Sequence, residues 1–229
     1  MTIRVYLMGF TLRPSPLRGY AVKAFLMALL LMPAYAIAHP HVWISMTAEL
    51  LFGADGKITG ISNAWSFDEG YSAYAVQGIP TKPDGTIARE TLDVLAKSNT
   101  EALDEFGYFT IIRADGKKLP LGPPKDYWLD YNGHLMTYHM TLPLKEPTKP
   151  GKVTMFEIYD PTYFVSFAFT DSANPVTMPT APKGCALTIA RPKQDAQPTQ
   201  PLNEAFFNSV AAGSDVGAQF SSRIVLACP

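Results

Sequence analysis

From residue 41 to residue 52 the chain alternates. Val42, Ile44, Met46, Ala48 and Leu50 fall on one side, and His41, Trp43, Ser45 and Thr47 on the other. A sustained period of two is the signature of a strand with one buried face. Gly53-Ala54-Asp55-Gly56 then supplies the small and turn-forming residues of a tight hairpin, and 57–65 returns as a second strand. A chain that begins this way is committed to an antiparallel sheet whose apolar face must be covered.

Further along, Ser66 followed by Glu69 has the spacing of a capping box and predicts a helix over 66–78. Residues 79–86 read as a loop. Leu92, Leu95, Ala96, Leu103 and Phe106 recur at helical spacing and predict the longest helix over 88–106. Strands are predicted over 108–113, 126–131 and 134–142, the last two joined by Asn132-Gly133, a strong hairpin signal. Residues 145–151 form a Pro/Lys loop, and strands over 152–159 and 163–170 are split by Asp160-Pro161. A short strand over 185–190, a polar linker over 194–201, a helix over 202–211 and a last extended segment over 220–226 complete the chain. No repeat is visible. The expected fold is α+β, a mostly antiparallel sheet with flanking helices in a single domain.

The first 38 residues stand apart from that domain. Arg4, Arg13, Arg18 and Lys23 precede the apolar run 24–32, then Pro33 and the small-residue site Ala36-Ile37-Ala38. This is the pattern of a cleaved signal peptide, and the run is short for a bilayer span. Residues 1–38 are therefore expected to be removed after Ala38, leaving 39–229 as a periplasmic domain without stable membrane insertion. The leader carries four of the 19 Lys and Arg and none of the 20 Asp and Glu, so the remainder has 15 against 20, a net −5. Nucleic acid and anionic lipid both call for a basic face, which this balance does not supply. Cys185 and Cys228 are the two cysteines. In an oxidising compartment they are expected to pair, tying the C-terminus to the body.

The cut would start the mature chain at His39-Pro40-His41. An α-amine and the Nδ1 of the same histidine close a six-membered chelate on a divalent ion, and the second imidazole adds a third nitrogen. Pro40 lacks the amide that the square-planar amino-terminal copper/nickel motif must deprotonate, so imidazole-plus-amine ligation remains. It suits Zn, Ni, Co or Cu. His134 follows the Asn132-Gly133 turn and is expected in solvent. His139 shares a strand face with Thr137 and Thr141, which makes it the better third histidine of a site with an open position. Asp68 is either a helix cap or a ligand, while Glu69 suits the helix dipole. Asp160 is explained by an Asp-Pro turn, with a carboxylate that orients a histidine as the alternative. Residues 80–91 have the outline of a calcium loop, but Pro80, Lys82 and Thr91 stand where its ligands belong. No nucleophile elbow, phosphate loop or HExxH motif occurs.

His39-Pro40-His41-Val42-Trp43, Trp65-Ser66-Phe67-Asp68-Glu69, Gly122-Pro123-Pro124-Lys125-Asp126-Tyr127-Trp128, His139 through Leu144, Glu157 through Phe164, and Gly217-Ala218-Gln219-Phe220 through Cys228-Pro229 together resemble one bacterial family. It is a family of unknown function often labelled the periplasmic component of an uncharacterised ABC-type transport system. Members are associated with, and sometimes fused to, nickel/cobalt-type membrane transporters. The resemblance covers the whole of 39–229 and implies a periplasmic accessory of transition-metal transport. It carries over onto His39, His41 and His139; His134 has no place in the pattern. This chain is short for a two-lobed substrate-binding protein.

The expected function is capture, buffering or hand-off of one divalent transition metal, zinc or nickel/cobalt, beside an inner-membrane metal transporter. His39, His41 and His139 would be ligands, with Asp68 or Asp160 as a fourth group, and no catalysis is expected. Two rival readings are a secreted copper enzyme using the same amino-terminal chelate, and a metal-free module that docks on a membrane transporter through an aromatic face.

Overall fold

The computed structural model describes residues 40–192 and 215–229, all within the compact unit Ile37–Pro229. The expected leader, His39, the linker over 194–201 and the helix over 202–211 lie outside the described residues. Two sheets carry the described fold. In the first, β5 (Lys125–Tyr131), β6 (Met136–Thr148), β2 (Ile58–Phe67), β1 (Val42–Phe52) and β8 (Val165–Phe169) lie side by side, and the short β9 (Val176–Thr177) also pairs with β1. The second runs β10 (Ala186–Ala190), β11 (Arg223–Ala227), β7 (Thr154–Ile158), β3 (Thr110–Ala114) and β4 (Lys117–Leu119). Every pairing is antiparallel except β1 with β8 and with β9. Among the described residues the architecture is thus mostly β, with two α-helices, α1 (Glu69–Ala75) and α2 (Arg89–Leu103), as minor parts.

The alternation of β1 does what its period requires: Met46 and Leu50 are fully buried while Trp43 is 53 % exposed. On β6, Met136, Tyr138, Met140 and Leu142 turn into the same core, and His139 with Thr137 and Thr141 lies on the opposite face. Ile112, Phe156, Ile224 and Leu226 bring the second sheet into that core. Gly60 marks where β2 and β6 approach most closely; a Cβ there would stand 2.3 Å from the Leu142 carbonyl oxygen.

Helix α1 is shorter than its sequence pattern suggests, and its cap is not Ser66. That residue stays in β2, its hydroxyl 2.9 Å from Thr137 Oγ1. The cap is Asp68, whose Oδ1 accepts from the Tyr71 amide at 2.9 Å. The buried Ser72 hydroxyl accepts the Met136 amide and fastens the helix to β6. Helix α2 buries Leu92, Ala96 and Thr100, a stripe at four-residue spacing. Its end comes at Leu103, before a 3-10 turn over Asp104–Phe109 in which Gly107, Tyr108 and Phe109 all take left-handed φ. A disulfide joins Cys185 to Cys228, just beyond the Ala186–Ala227 pair of the β10–β11 ladder.

Candidate functional site

The start of β1 is fixed from two directions. The His41 and Val42 amides both donate to the Phe164 carbonyl, and the His41 ring stacks on Phe164 at 4.7 Å between centroids. On the other side the Trp43 amide donates to Asp68 Oδ2 at 2.9 Å, and the Asp68 amide returns to the Trp43 carbonyl. One carboxylate therefore caps α1 and locks the first turn of the helix onto β1. Each Asp68 oxygen accepts one backbone N–H, which leaves further lone-pair positions on both. Trp43 is two residues from His41, so Asp68 is bonded to the strand about 7 Å along from the His41 backbone.

Asp160 belongs to the same end of the molecule but is differently occupied. It is 5 % exposed, and Oδ1 accepts from the Thr162 amide and hydroxyl while Oδ2 accepts from the Val165 amide. Val165 is the residue that pairs with Val42. The Asp-Pro turn is therefore what delivers β8 to β1, and the carboxylate is its internal support.

His139 is elsewhere. It aligns with Ala64 on β2, which aligns with Thr47 on β1, six residues beyond His41. At about 3.3 Å per residue and 4.8 Å per strand, the two histidines stand roughly 20 Å apart on the same outer face. His139 has its own partners. Its ring lies parallel to that of Trp128, 4.4 Å away, and its Nε2 is 3.1 Å from Asp130 Oδ2, which also accepts from the Trp128 indole at 3.0 Å. Arg89 approaches the other Asp130 oxygen and pairs with Asp93. Burial pulls the His139 imidazole below its ordinary value; Asp130 works against that shift and Arg89 adds to it. Facing on the strand distinguished His139 from His134 in sequence, but the distance along the sheet separates it from His41. Among the described residues no three His, Cys, Asp or Glu gather closely enough to hold an ion. Asp68, through the Trp43 amide, and Asp160, through Val165, each support the start of β1 next to His41, from its two sides and not as one cluster. His39 lies immediately upstream, outside the described residues.

Beside this end opens an apolar cleft of about 380 Å³. Ile44, Trp65 and Phe167 form part of its wall, Tyr71 and Tyr74 come from α1, and Leu103 and Phe106 from the end of α2. Phe164 is shared: one residue stacks on His41 and lines the cleft. Tyr74, Phe106 and Phe164 are 74 %, 54 % and 46 % exposed. One lining residue, Phe109, has left-handed backbone at φ 49°, and Tyr163, the neighbour of Phe164, has φ 59°. The sequence pointed only to an aromatic face as the docking surface of a rival reading. The convergence of these side chains was not visible in it, because it depends on α1 and α2 closing over the β1–β8 edge.

The model of a protein family described as "Protein of unknown function (DUF1007)" matches residues 24–228. The chain belongs to this family. A DUF1007 chain is thus recognised across both sheets, the amino-terminal histidines and the disulfide. The chain is also 24 % identical over 194 residues to an uncharacterized protein of Haemophilus influenzae, covering 84 % of this chain and 92 % of that protein. Family membership supplies no activity, so function rests on the geometry.

Proposed function

We propose that this DUF1007 protein is an exported, non-enzymatic accessory of transition-metal transport. It captures one divalent ion, zinc or nickel/cobalt, and hands it to an inner-membrane transporter. The observation that carries the reading is the fixed placement of His41: hydrogen bonds from its own amide and that of Val42 to the Phe164 carbonyl, and a ring stack, hold it immediately before β1. After a cut at Ala38, the His39 amine and imidazole stand two residues from an imidazole that is already positioned. That pre-organisation lowers the entropic cost of closing the chelate. Asp68, bonded to the Trp43 amide two residues beyond His41, is the oxygen assigned to the fourth position. His139, paired with Asp130 far along the sheet, drops out of the ligand set, and Asp160 supports a turn instead of an ion. Three nitrogens with one optional oxygen make an open site that can release its ion, and protonation of the amine and imidazoles weakens it as pH falls.

The test is native intact mass of the protein exported through its own leader, before and after chelation. A mass beginning at His39, two hydrogens light and carrying one chelator-removable ion, supports the reading. His41→Ala should lose the ion while His139→Ala keeps it. A correctly cut protein that stays metal-free after incubation with zinc, nickel, cobalt and copper would overturn it.

A further inference from the structure

We propose that the aromatic cleft receives an apolar segment of a partner protein flanked by Lys or Arg. This inference does not rest on the metal reading and stands whether or not His41 binds an ion. Among the described residues, the cleft is lined by no charged side chain, so what enters it is uncharged and apolar. The rim is another matter. Asp68 and Glu69 open α1 immediately before the lining residues Tyr71 and Tyr74, and Glu101, Asp104 and Glu105 interleave with Ala102, Leu103 and Phe106. The nearest lysine on α2, Lys97, is paired with Glu101. The segments that wall this apolar cleft therefore carry an excess of carboxylates, which disfavours fatty acids, anionic lipid and acidic peptides and complements a segment with cationic ends.

Exposure favours a protein segment over a small molecule. Large hydrophobics exposed among the described residues are Trp43, Tyr74, Val94, Phe106, Val153 and Phe164, and three of these six stand on this rim. Exposed aromatics gathered around an open cleft are the anchors that interfaces use. A site for a small ligand buries most of that ligand.

The probe is a short fluorescent synthetic helix with a Leu/Phe stripe and Lys at both ends, titrated into the exported full chain and followed by anisotropy. Its twin carries Glu in place of Lys. The Lys peptide should bind, and the Glu twin should bind at least about tenfold more weakly. Tyr74→Ala with Phe106→Ala should cost about tenfold. Because both side chains are more than half exposed, far-UV circular dichroism and the urea midpoint should report an unchanged fold. Glu69→Lys with Glu105→Lys should weaken binding several-fold and flatten its salt dependence. Equal binding of the two peptides, or insensitivity to both double variants, would overturn the proposal. So would absence of binding to the full chain, whether its own residues 193–214 or a second copy fills the cleft; sedimentation tells these apart.

Discussion

Replacing Asp160 with asparagine should make the protein easier to unfold without changing the zinc binding proposed above. The carboxylate is 5 % exposed and accepts three hydrogen bonds: the Thr162 amide at 2.8 Å, the Thr162 hydroxyl at 2.9 Å and the Val165 amide at 3.0 Å. Asparagine has one acceptor oxygen for the two sides of that cradle, and its NH2 meets a donor on the other. A hydrogen bond to a charged acceptor contributes about 1.5–3 kcal/mol. Losing one, with a buried donor left facing another donor, should therefore cost about 2–3 kcal/mol. For a domain of this size each kcal/mol lowers Tm by about 2–4 °C, so a fall on the order of 4–12 °C is expected. Urea unfolding of the exported protein, followed by tryptophan fluorescence, measures the loss, and a zinc titration of the folded variant measures the ion. An unchanged urea midpoint would refute the assignment of Asp160 to the turn. Zinc lost at an unchanged midpoint would show it to be a ligand.

Other consequences are as direct. Gly60→Ala sets a Cβ 2.3 Å from the Leu142 carbonyl and 2.9 Å from Pro143 Cα, both backbone, so it should cost about 3 kcal/mol or more and lower the denaturation midpoint accordingly. His139 titrates below its ordinary value, so the unfolded chain binds its proton first and His139 lowers stability as pH falls from about 6.5 through the folded value. An NMR titration of the His139 ring should place its midpoint under 6.5, and Asp130→Asn should move it lower still; a midpoint above 6.5 contradicts the burial argument. Reducing the Cys185–Cys228 bond, which spans 43 residues, should destabilise the fold by up to about 4 kcal/mol on the loop-entropy account, read as the shift between oxidised and reduced urea curves.

Local chemistry was legible where it is short-ranged. The β1 alternation, the Gly53–Gly56 turn and the two faces of β6 follow from residue order alone, since a strand's period assigns each side chain before any partner is known. The cap of α1 was misread because Ser66 and Asp68 both suit the role, and only the Ser66–Thr137 hydrogen bond across β2 and β6 settles which one remains in the strand. The end of α2 at Leu103 was hidden because Phe106 keeps the helical period while Gly107 breaks it. Least legible was anything that depends on register over long separations. The second sheet, the parallel partners of β1 and the distance between His41 and His139 are set by which strands meet, and periodicity is silent about that. The Asp68 bridge to Trp43 spans 25 residues and carries no motif.

The parallel seat of β1 against β8 bears on the order of assembly. Val42 meets Val165, whereas the antiparallel partner of β1, β2, follows after a five-residue connection. During synthesis the β1–β2 hairpin can close early, but the opposite edge of β1 stays unpaired until the chain has been made past Phe169. Such an edge is open to other strands in the interval, and a contact of this sequence separation slows folding. His41 is anchored through Phe164, so its fixed position is a late event. A nascent or misassembled chain carries the same histidines without holding them, and ion capture at the mature end would thereby be reserved for finished molecules.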